Sequence, residues 1–462
     1  MRFTILICLL APAATLIAGE APSPNPFASL NPQVEAIVSQ VSAERIAALE
    51  KKLGSFGTRN IYSATDDSEH GIGAAREWIA SQFRSYSPRL QVSFDKHKLA
   101  KQGRAFRDVE IWNVVAVLPG TGEPERQVLI TGHYDTINMV FKPGPEDRPV
   151  LDPEATAAAP APGVTDDGSG TAAVMELARL MSQYQFRKTL VFIAFAAEEY
   201  GLFGSGLYAE NAARAHQVIE GVFNNDIIGS DITGNGETDN RYVNVYSEGP
   251  EDSASRELAR YFKETAERYQ PGFGVNLVFR HDRFGRGGDH STFNAFGYAA
   301  VRVTTPMENF SNQHTATDTF ANTDPQYATL VAKANAAAAA SLALAPKAPE
   351  LPSSEPAPGH LFAEPLSRGK SADGHAGYDA VMSWQNPHPE PDLLGYAVVI
   401  RSTTSPLWQR EIFVGDVLSH TLPNVNIDEV VLGVKAIDKT GNESLISPYV
   451  TRPYHQPKIA TY

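Results

Sequence analysis

Histidine and carboxylate side chains that could bind a metal follow several apolar runs of the sequence. The run QVLITG ends on His133 and Asp135, and TLVFIAFAA ends on Glu198 and Glu199. Such groups are not normally buried at a strand end without a partner, because an unpaired polar group there costs free energy. Further candidates are Asp166 and Asp167 in PGVTDDGSG, Asp226 after GVFNN, and His314 after YAAVRVTTP.

The elements around these residues explain how they could meet. Helical and strand patterns alternate between about residues 31 and 344, which is typical of an α/β domain. The helical stretch GSGTAAVMELARLMSQY lies between two strand-like runs and predicts a strand, helix, strand crossover. In an open α/β sheet, ligand sites lie outside the carboxyl ends of the strands. We therefore expect the candidate side chains to converge.

Two helices frame this domain in the sequence pattern. Helical periodicity runs without a break through VEAIVSQVSAERIAALEKKL, residues 34–53, and predicts one long helix. Near the end of the domain, Asp324 precedes Pro325 and is expected to cap the helix that closes the domain.

The types of the candidate ligands select the metal. Imidazole and carboxylate ligands without thiolate suit zinc, with manganese or cobalt as substitutes. Two histidines and three carboxylates are too many for one open catalytic zinc and suit two metals that share a carboxylate. Each motif alone also has an ordinary interpretation: DDGSG as a turn before a helix, or HTATDT as a loop in which Asp318 caps the next helix.

Five stretches carry a specific resemblance. GHYDT, PGVTDDGSG, AAEEYGLFGS, NND and NQHTATDT, in this order, resemble the secreted leucyl aminopeptidase family of dinuclear zinc exopeptidases, metallopeptidase family 28. The resemblance covers about residues 53–344. It implies an α/β zinc exopeptidase fold with a mixed, mostly parallel central sheet flanked by helices. It also implies two Zn²⁺ per chain and peptide substrates with a free N-terminus.

The resemblance implies a role for each candidate. Glu198 would be the general base, and Asp135 would orient His133 from outside the metal ligands. A cis peptide bond would follow Asp166. The metal ligands would be His133 and Asp226 for one zinc, Glu199 and His314 for the other, and Asp166 as the bridge between them.

One position departs from the family's pattern. Aminopeptidases of the family have a tyrosine shortly before a late Asp-His pair that helps to stabilise the oxyanion, whereas this chain has Arg283, Phe284 and Arg286 before Asp289 and His290. The Arg286 guanidinium could donate to the oxyanion, and a surface ion pair is the alternative. The Pro- and Ala-rich stretch 138–163 predicts a loop at the rim of the site.

Composition shifts along the chain predict four parts. Residues 1–21 have the layout of a secretory signal peptide, which predicts export to the periplasm or the extracellular medium. The peptidase domain would span residues 22–345 and a Pro-rich linker residues 346–360. Residues 361–455 predict a small all-β sandwich that resembles a fibronectin type III domain. We interpret it as an accessory or spacing module, with binding of a surface or polymer as the alternative.

Charge and cysteine content exclude several classes of partner. The net charge of −14 repels phosphate backbones and argues against nucleic-acid binding. After the signal peptide, no run reaches the roughly 18 apolar residues of a transmembrane segment. The only cysteine, Cys8, lies in the segment to be removed, so the mature chain is expected to form no disulfide.

The sequence thus predicts an exported zinc aminopeptidase that hydrolyses N-terminal residues from peptides through a water activated by two metals. A carboxypeptidase, a dipeptidase or a glutaminyl cyclase on the same fold is the alternative among enzymes. The cyclases use one zinc, so the full set of five ligands weighs against them. A non-catalytic binding protein is the alternative from another class, but such relics usually lose ligands or the general base.

Overall fold

The computed structural model describes residues 30–352, 365–371 and 373–450. The predicted signal peptide and most of the predicted linker therefore lie outside the described residues. The helices are α1 (Pro32–Ser39), α2 (Ala43–Gly54), α3 (Gly71–Tyr86), α4 (Pro153–Ala158), α5 (Ser169–Met181), α6 (Phe203–Arg214), α7 (Ala254–Tyr269), α8 (Asp289–Ala295) and α9 (Pro325–Leu344).

The strands fall into two groups along the chain. Those of the first domain are β1 (Gln91–Leu99), β2 (Val109–Leu118), β3 (Glu123–His133), β4 (Phe141–Pro143), β5 (Pro149–Leu151), β6 (Lys188–Phe195), β7 (Val218–Asn225), β8 (Tyr242–Ser247), β9 (Gly274–Val278) and β10 (Ala300–Thr304). Those of the second are β11 (Leu366–Lys370), β12 (Ala376–Ser383), β13 (Leu393–Ser402), β14 (Arg410–Gly415), β15 (Ser419–Leu422), β16 (Val430–Asp438) and β17 (Ser447–Pro448).

The first domain is built on an eight-stranded sheet in the order β1-β2-β6-β3-β7-β10-β8-β9. Four of its seven pairings are parallel and three are antiparallel. The neighbours β6, β3, β7 and β10 all run in the same direction, so their carboxyl ends meet at one edge. The predicted mixed, mostly parallel sheet is confirmed, and this edge brings the candidate ligands together.

Helices cover both faces of the sheet, as the alternation of side chains along β3 shows. Val128 and Ile130 belong to the larger apolar core under α5 and α9, whereas Leu129 points to the smaller core on the other face. Helix α5 lies between β3 and β6 in the chain, and β6 pairs with β3 in parallel. The predicted crossover is therefore confirmed.

The expectation of one long helix over residues 34–53 was wrong. The chain forms α1 and α2, which are separated after Ser39. Ser42 accepts a hydrogen bond from the backbone N–H of Arg45 and begins a new helix, so a local cap interrupts an unbroken apolar period. The cap predicted at Asp324 is confirmed, because its carboxylate accepts two backbone N–H groups of the first turn of α9.

Helix α9 is the one helix in the described part of the chain with the length and apolar composition of a membrane span. Within the structure, 83% of its most apolar stretch is buried. The helix contacts α1, α2, α5 and α7, and its alanines allow those helices to approach closely. Its apolar composition therefore fits a place in the core.

The second domain consists of two antiparallel sheets, β11-β12-β15 and β14-β13-β16-β17. Side chains from both sheets form a separate apolar core, in which the rings of Trp384 and Tyr396 lie 5.6 Å apart. The predicted small all-β sandwich is confirmed. Its resemblance to a fibronectin type III domain stays a prediction.

Buried ion pairs join the two domains. The Arg401 side chain of β13 is fully buried and pairs with Asp252, just before α7. Lys435 of β16 is also buried and lies 2.6 Å from Glu443, which in turn lies 3.2 Å from Arg268 of α7. Removing one partner of a buried ion pair strongly destabilises a protein, because the other charge is left without a partner. The two domains are thus joined through matched charges.

Acid should weaken this contact through Glu443. Burial raises the pKa of Glu443, but Lys435 and Arg268 lower it more, to about 2. Because this pKa lies below the ordinary value of 4.5, the carboxylate stabilises the folded chain above about pH 4.5 and loses that effect as the pH falls toward 2. The difference in Tm between the wild type and Glu443→Gln, followed by circular dichroism, should therefore be largest near neutral pH and shrink in acid. A difference that does not change with pH would contradict this role.

Candidate metal centre

Several predicted site residues lie at or just after the ends of strands, at one edge of the sheet. His133 is the last residue of β3, and Asp226 comes directly after β7. Glu198 follows β6 at the same edge, and the ligand atoms of His133, Glu198 and Asp226 lie within 4.8 Å of one another. Asp166 lies in the loop before α5, and His314 in the long loop after β10. The structure therefore brings together residues that are far apart in the sequence.

Asp166 lies between the two histidines. Its Oδ1 is 3.1 Å from His133 Nε2, and its Oδ2 is 3.1 Å from His314 Nε2. Asp226 lies on the His133 side, with Oδ1 3.8 Å from Nε2, whereas Glu199 Oε2 lies 3.1 Å from His314 Nε2. The donors thus form two halves that share Asp166, and each half has one imidazole and one further carboxylate.

Unpartnered polar atoms in this cluster fit a metal ion. Among the described residues, the buried atoms His133 Nε2 and Glu199 Oε1 have no hydrogen-bond partner. Leaving such an atom unpaired costs roughly 1–3 kcal/mol, unless an ion takes the place of the missing partner. Imidazole nitrogen and carboxylate oxygen are both zinc ligands, so the residues present fit zinc.

The pKa shifts of residues in the cluster also fit a bound metal ion. Burial, together with the nearby Glu199 carboxylate, raises the pKa of Asp135 to about 7. Burial lowers the pKa of His314, but Glu199 and Asp166 raise it by more than burial lowers it, so that it reaches about 11. Bound protons thus offset part of the excess negative charge when the protein holds no metal. Divalent cations would offset it in their place.

Asp135 contacts the metal cluster through two different groups. The closest contact of His133 Nδ1, at 3.1 Å, is to the backbone carbonyl oxygen of Asp135, and the Asp135 carboxylate lies 3.7 Å from the same nitrogen. The two carboxylate oxygens accept the backbone N–H groups of Glu198 and Glu199, at 3.1 and 3.3 Å. The HYD motif therefore also fixes the loop after β6.

Two further buried aspartates hold the loops that carry the ligands. The Asp318 carboxylate accepts the backbone N–H groups of Thr165 and Asp166, both at 2.9 Å, so it does not cap a following helix as one interpretation of HTATDT had it. Asp167 accepts the backbone N–H groups of His133 and Ile227, at 3.0 and 3.2 Å. The peptide bond between Asp166 and Asp167 is cis, as the resemblance implied.

Sequence reasoning missed Arg59, which is fully buried beneath the site. Its guanidinium donates to the carbonyl oxygens of Leu53, Tyr134, Pro162 and Gly163, at 2.6 to 2.9 Å. It thereby ties the loop after His133 to the loop before Asp166. Nothing in the local sequence SFGTRN marks this arginine, because its acceptors are all backbone groups and three of the four lie at least 75 residues away.

The structure shows Arg286 in an ion pair. Its Nη1 lies 2.5 Å from Glu308, and Arg283 lies 2.7 Å from the same carboxylate. The alternative to oxyanion binding given above was an ion pair at the surface; the structure has an ion pair, but its Glu308 is buried. The stretch 138–163 forms the β4–β5 hairpin and α4, and the N–H of Met139 donates to the His314 carbonyl at 3.0 Å. That stretch therefore starts beside the site.

Comparison with known proteins decides the family. The chain is 36% identical over 448 residues to a probable zinc metalloprotease of Pyricularia oryzae, a match that covers 89% of this chain and 83% of the relative. The sequence profile of peptidase family M28 matches residues 113–339. The chain belongs to peptidase family M28. The resemblance seen in the five motifs is confirmed, and the M28 chain is a zinc metallopeptidase.

Solved structures share the fold of this M28 peptidase. LapA aminopeptidase of Legionella pneumophila superposes with a TM-score of 0.51 at 20% identity, covering 71% of this chain and 77% of that one. A glutaminyl cyclase of Fimbriiglobus ruber gives 0.50 at 19% identity, covering 65% and 95%. At such identities the likeness concerns the fold alone, and the predicted zinc exopeptidase fold is confirmed.

Zinc binding to the metal-free M28 peptidase should release protons. The pKa of His314 is about 11 without metal, so zinc must displace a proton from this ring, and zinc affinity should rise from about pH 6 to about pH 8. Titration calorimetry in buffers of different ionisation enthalpy would count the protons. His420→Ala, in the β domain, serves as the control and should release as many as the wild type. An affinity independent of pH would contradict the protonated state of His314.

Removing the buried guanidinium should destabilise the peptidase domain. Arg59→Met removes the donor that four carbonyl groups share, and within the described chain only Leu53 and Gly163 keep a backbone N–H partner, so we expect the free energy of unfolding to fall by about 3–5 kcal/mol. Urea denaturation followed by tryptophan fluorescence measures this. Arg214→Met removes an exposed arginine that pairs within α6 and should change stability little. Equal stabilities of the two variants would show that Arg59 does not hold the loops together.

Proposed function

We propose that this M28 peptidase is an exported aminopeptidase that uses two zinc ions. The position of Asp166 is the observation that carries the proposal. One of its oxygens faces His133 and the other faces His314, each at 3.1 Å. A carboxylate in this position can bridge two metals, and each half of the site has enough ligands to complete one metal.

Different side chains would bind the zinc ions and transfer the proton. His133 and Asp226 would hold one zinc, Glu199 and His314 the other, and Asp166 would bridge them. When bound, the two ions supply Lewis-acid activation of water and stabilise negative charge on the carbonyl oxygen of the substrate.

Glu198 is placed to act as the general base. Its Oε2 lies 4.0 Å from His133 Nε2, and its backbone N–H is held by Asp135. Burial, together with Asp226 and Glu199, raises its pKa well above the usual range, while nearby cations would favour the carboxylate form. In that form it can accept a proton from the attacking water and pass it to the leaving amine.

Export and substrate are further parts of the proposal. The layout of residues 1–21 supports export, to the periplasm or the medium. The excess of carboxylates offers a place for the free α-amino group of a peptide N-terminus, which an acidic side chain or a zinc would hold. The fibronectin type III-like domain serves as an accessory module, since it joins the peptidase domain through α7.

Glutaminyl cyclisation is the second candidate, because a cyclase is among the structural neighbours. That enzyme class uses one zinc, whereas two complete halves meet at Asp166 in this chain. The full donor set therefore favours peptide hydrolysis.

The test compares aminoacyl anilides with free and acetylated amines on zinc-loaded enzyme. We expect cleavage of the free-amine substrates only, because the acetylated amine carries no charge for the acidic site. Glu198→Gln should lower kcat by about 10²–10⁴-fold, the typical contribution of a general base, and should retain its zinc. Glu210→Gln, on the exposed part of α6, is the control with unchanged kcat.

Other outcomes separate the alternatives. Cleavage of acetylated substrates would contradict an aminopeptidase. If neither form is cleaved, dipeptides, peptides with a free carboxyl terminus and N-terminal glutaminyl peptides are the next substrates to assay. Turnover of glutaminyl peptides to the cyclic product would establish the cyclase.

A further inference from the structure

A buried arginine lies directly behind one of the proposed zinc ligands. Arg302, on β10, is fully buried, and its Nη1 lies 2.6 Å from Asp226 Oδ2. The other oxygen of Asp226, Oδ1, is the one that faces His133 Nε2. The guanidinium thus holds one oxygen of the carboxylate and leaves the other directed into the metal cluster.

Several contacts fix this guanidinium in place. Nη1 also donates to the Gly287 carbonyl at 3.1 Å and lies 3.7 Å from the buried Asp282 carboxylate. Asp282 itself is held by Arg283, whose Nε lies 2.9 Å from it. Nη1 therefore has contacts besides Asp226 Oδ2, and its direction toward Asp226 does not depend on Asp226 alone.

Gly288 leaves room for this contact. A Cβ atom at this position would lie 2.6 Å from Arg302 Nη1, 3.2 Å from His290 Nδ1 and 3.4 Å from Asp226 Oδ2. The backbone at Gly288 is extended, with φ −171°, a conformation that any residue adopts. Glycine at this position therefore gives the guanidinium its space and is not required by the backbone conformation.

The other half of the site has no such arginine contact. Within the described chain, Glu199 Oε2 contacts His314 and Oε1 has no hydrogen-bond partner. Glu199 can therefore offer both oxygens to a metal, whereas Asp226 can offer one. The two halves therefore differ because of Arg302, which is not itself a proposed ligand.

We propose that Arg302 is a positioning residue that restricts Asp226 to one metal-binding oxygen, and that Gly288 keeps the space in which it does so. The proposal rests on the proposed function, because it takes Asp226 as a zinc ligand. Groups that orient a ligand typically contribute about 10–100-fold to metal affinity. Loss of the contact should weaken one zinc site and leave the other as it is.

The experiment measures stepwise zinc affinity on metal-free protein by competition with a chromophoric chelator. In Arg302→Met, we expect one of the two binding steps to weaken by about 10–100-fold and the other to remain unchanged. Gly288→Ala keeps the arginine and its charge but displaces the guanidinium, and should weaken the same step. Arg302→Lys should fall between the wild type and Arg302→Met, because an ammonium retains the charge but not the planar fork.

A matched control separates positioning from general loss of stability. Arg401 is another fully buried arginine paired with an aspartate, but it lies at the contact between the domains. Arg401→Met should lower the Tm and leave both zinc affinities unchanged. If Arg302→Met does not fold, Gly288→Ala still tests the proposal, since alanine fits the extended backbone and the atom nearest its Cβ would be the terminal Nη1 of Arg302.

Two results would overturn the inference alone. One is the finding that the wild type binds two zinc ions and that the folded variants bind them with unchanged affinity. The other is tighter zinc binding in Arg302→Met, which would show that the guanidinium acts by opposing the charge of the metal. A wild type that binds no zinc would instead overturn the proposed function, and this inference with it.

Discussion

Repulsion between buried carboxylates is the constraint around which the catalytic edge of the sheet is built. Among the described residues, six of them meet there, from the ends of parallel strands and from the loop before α5, and nearby charges or N–H groups must offset each one. Arg302 and the two histidines contact the cluster directly, and Arg59 lies beneath it. The six carboxylates are Asp135, Asp166, Asp167, Glu198, Glu199 and Asp226.

Backbone N–H groups carry much of this compensation and set the geometry at the same time. Asp135 fixes the loop after β6, Asp167 fixes the end of β3 and the residue after Asp226, and Asp318 fixes the loop before α5. Each of these carboxylates binds N–H groups from a different part of the chain. The site is thus held by side chains that need not touch a metal, which is how ligand positions are kept accurate.

The β domain is joined to the peptidase domain by buried charges, and its contacts lie away from the metal centre. Arg187, directly before β6, pairs with Asp392 of the β domain. This pair is at the amino end of the strand whose carboxyl end leads to Glu198. Together with the ion pairs on α7, it places a contact of the β domain at the opposite edge of the sheet from the ligands, which agrees with an accessory role.

The sequence by itself determined the fold class, because helical patterns alternate with apolar runs as they do in an α/β sheet. It predicted the ligand types, because these runs end on polar residues such as His133, Glu199 and Asp226. It also determined the family, through five motifs in order. It misjudged residues 34–53, where one serine cap outweighs periodicity. Only the tertiary structure revealed Arg59, Arg302 and Asp318, because most of their partners are backbone groups or carboxylates distant in the chain, and such contacts leave no local sequence pattern.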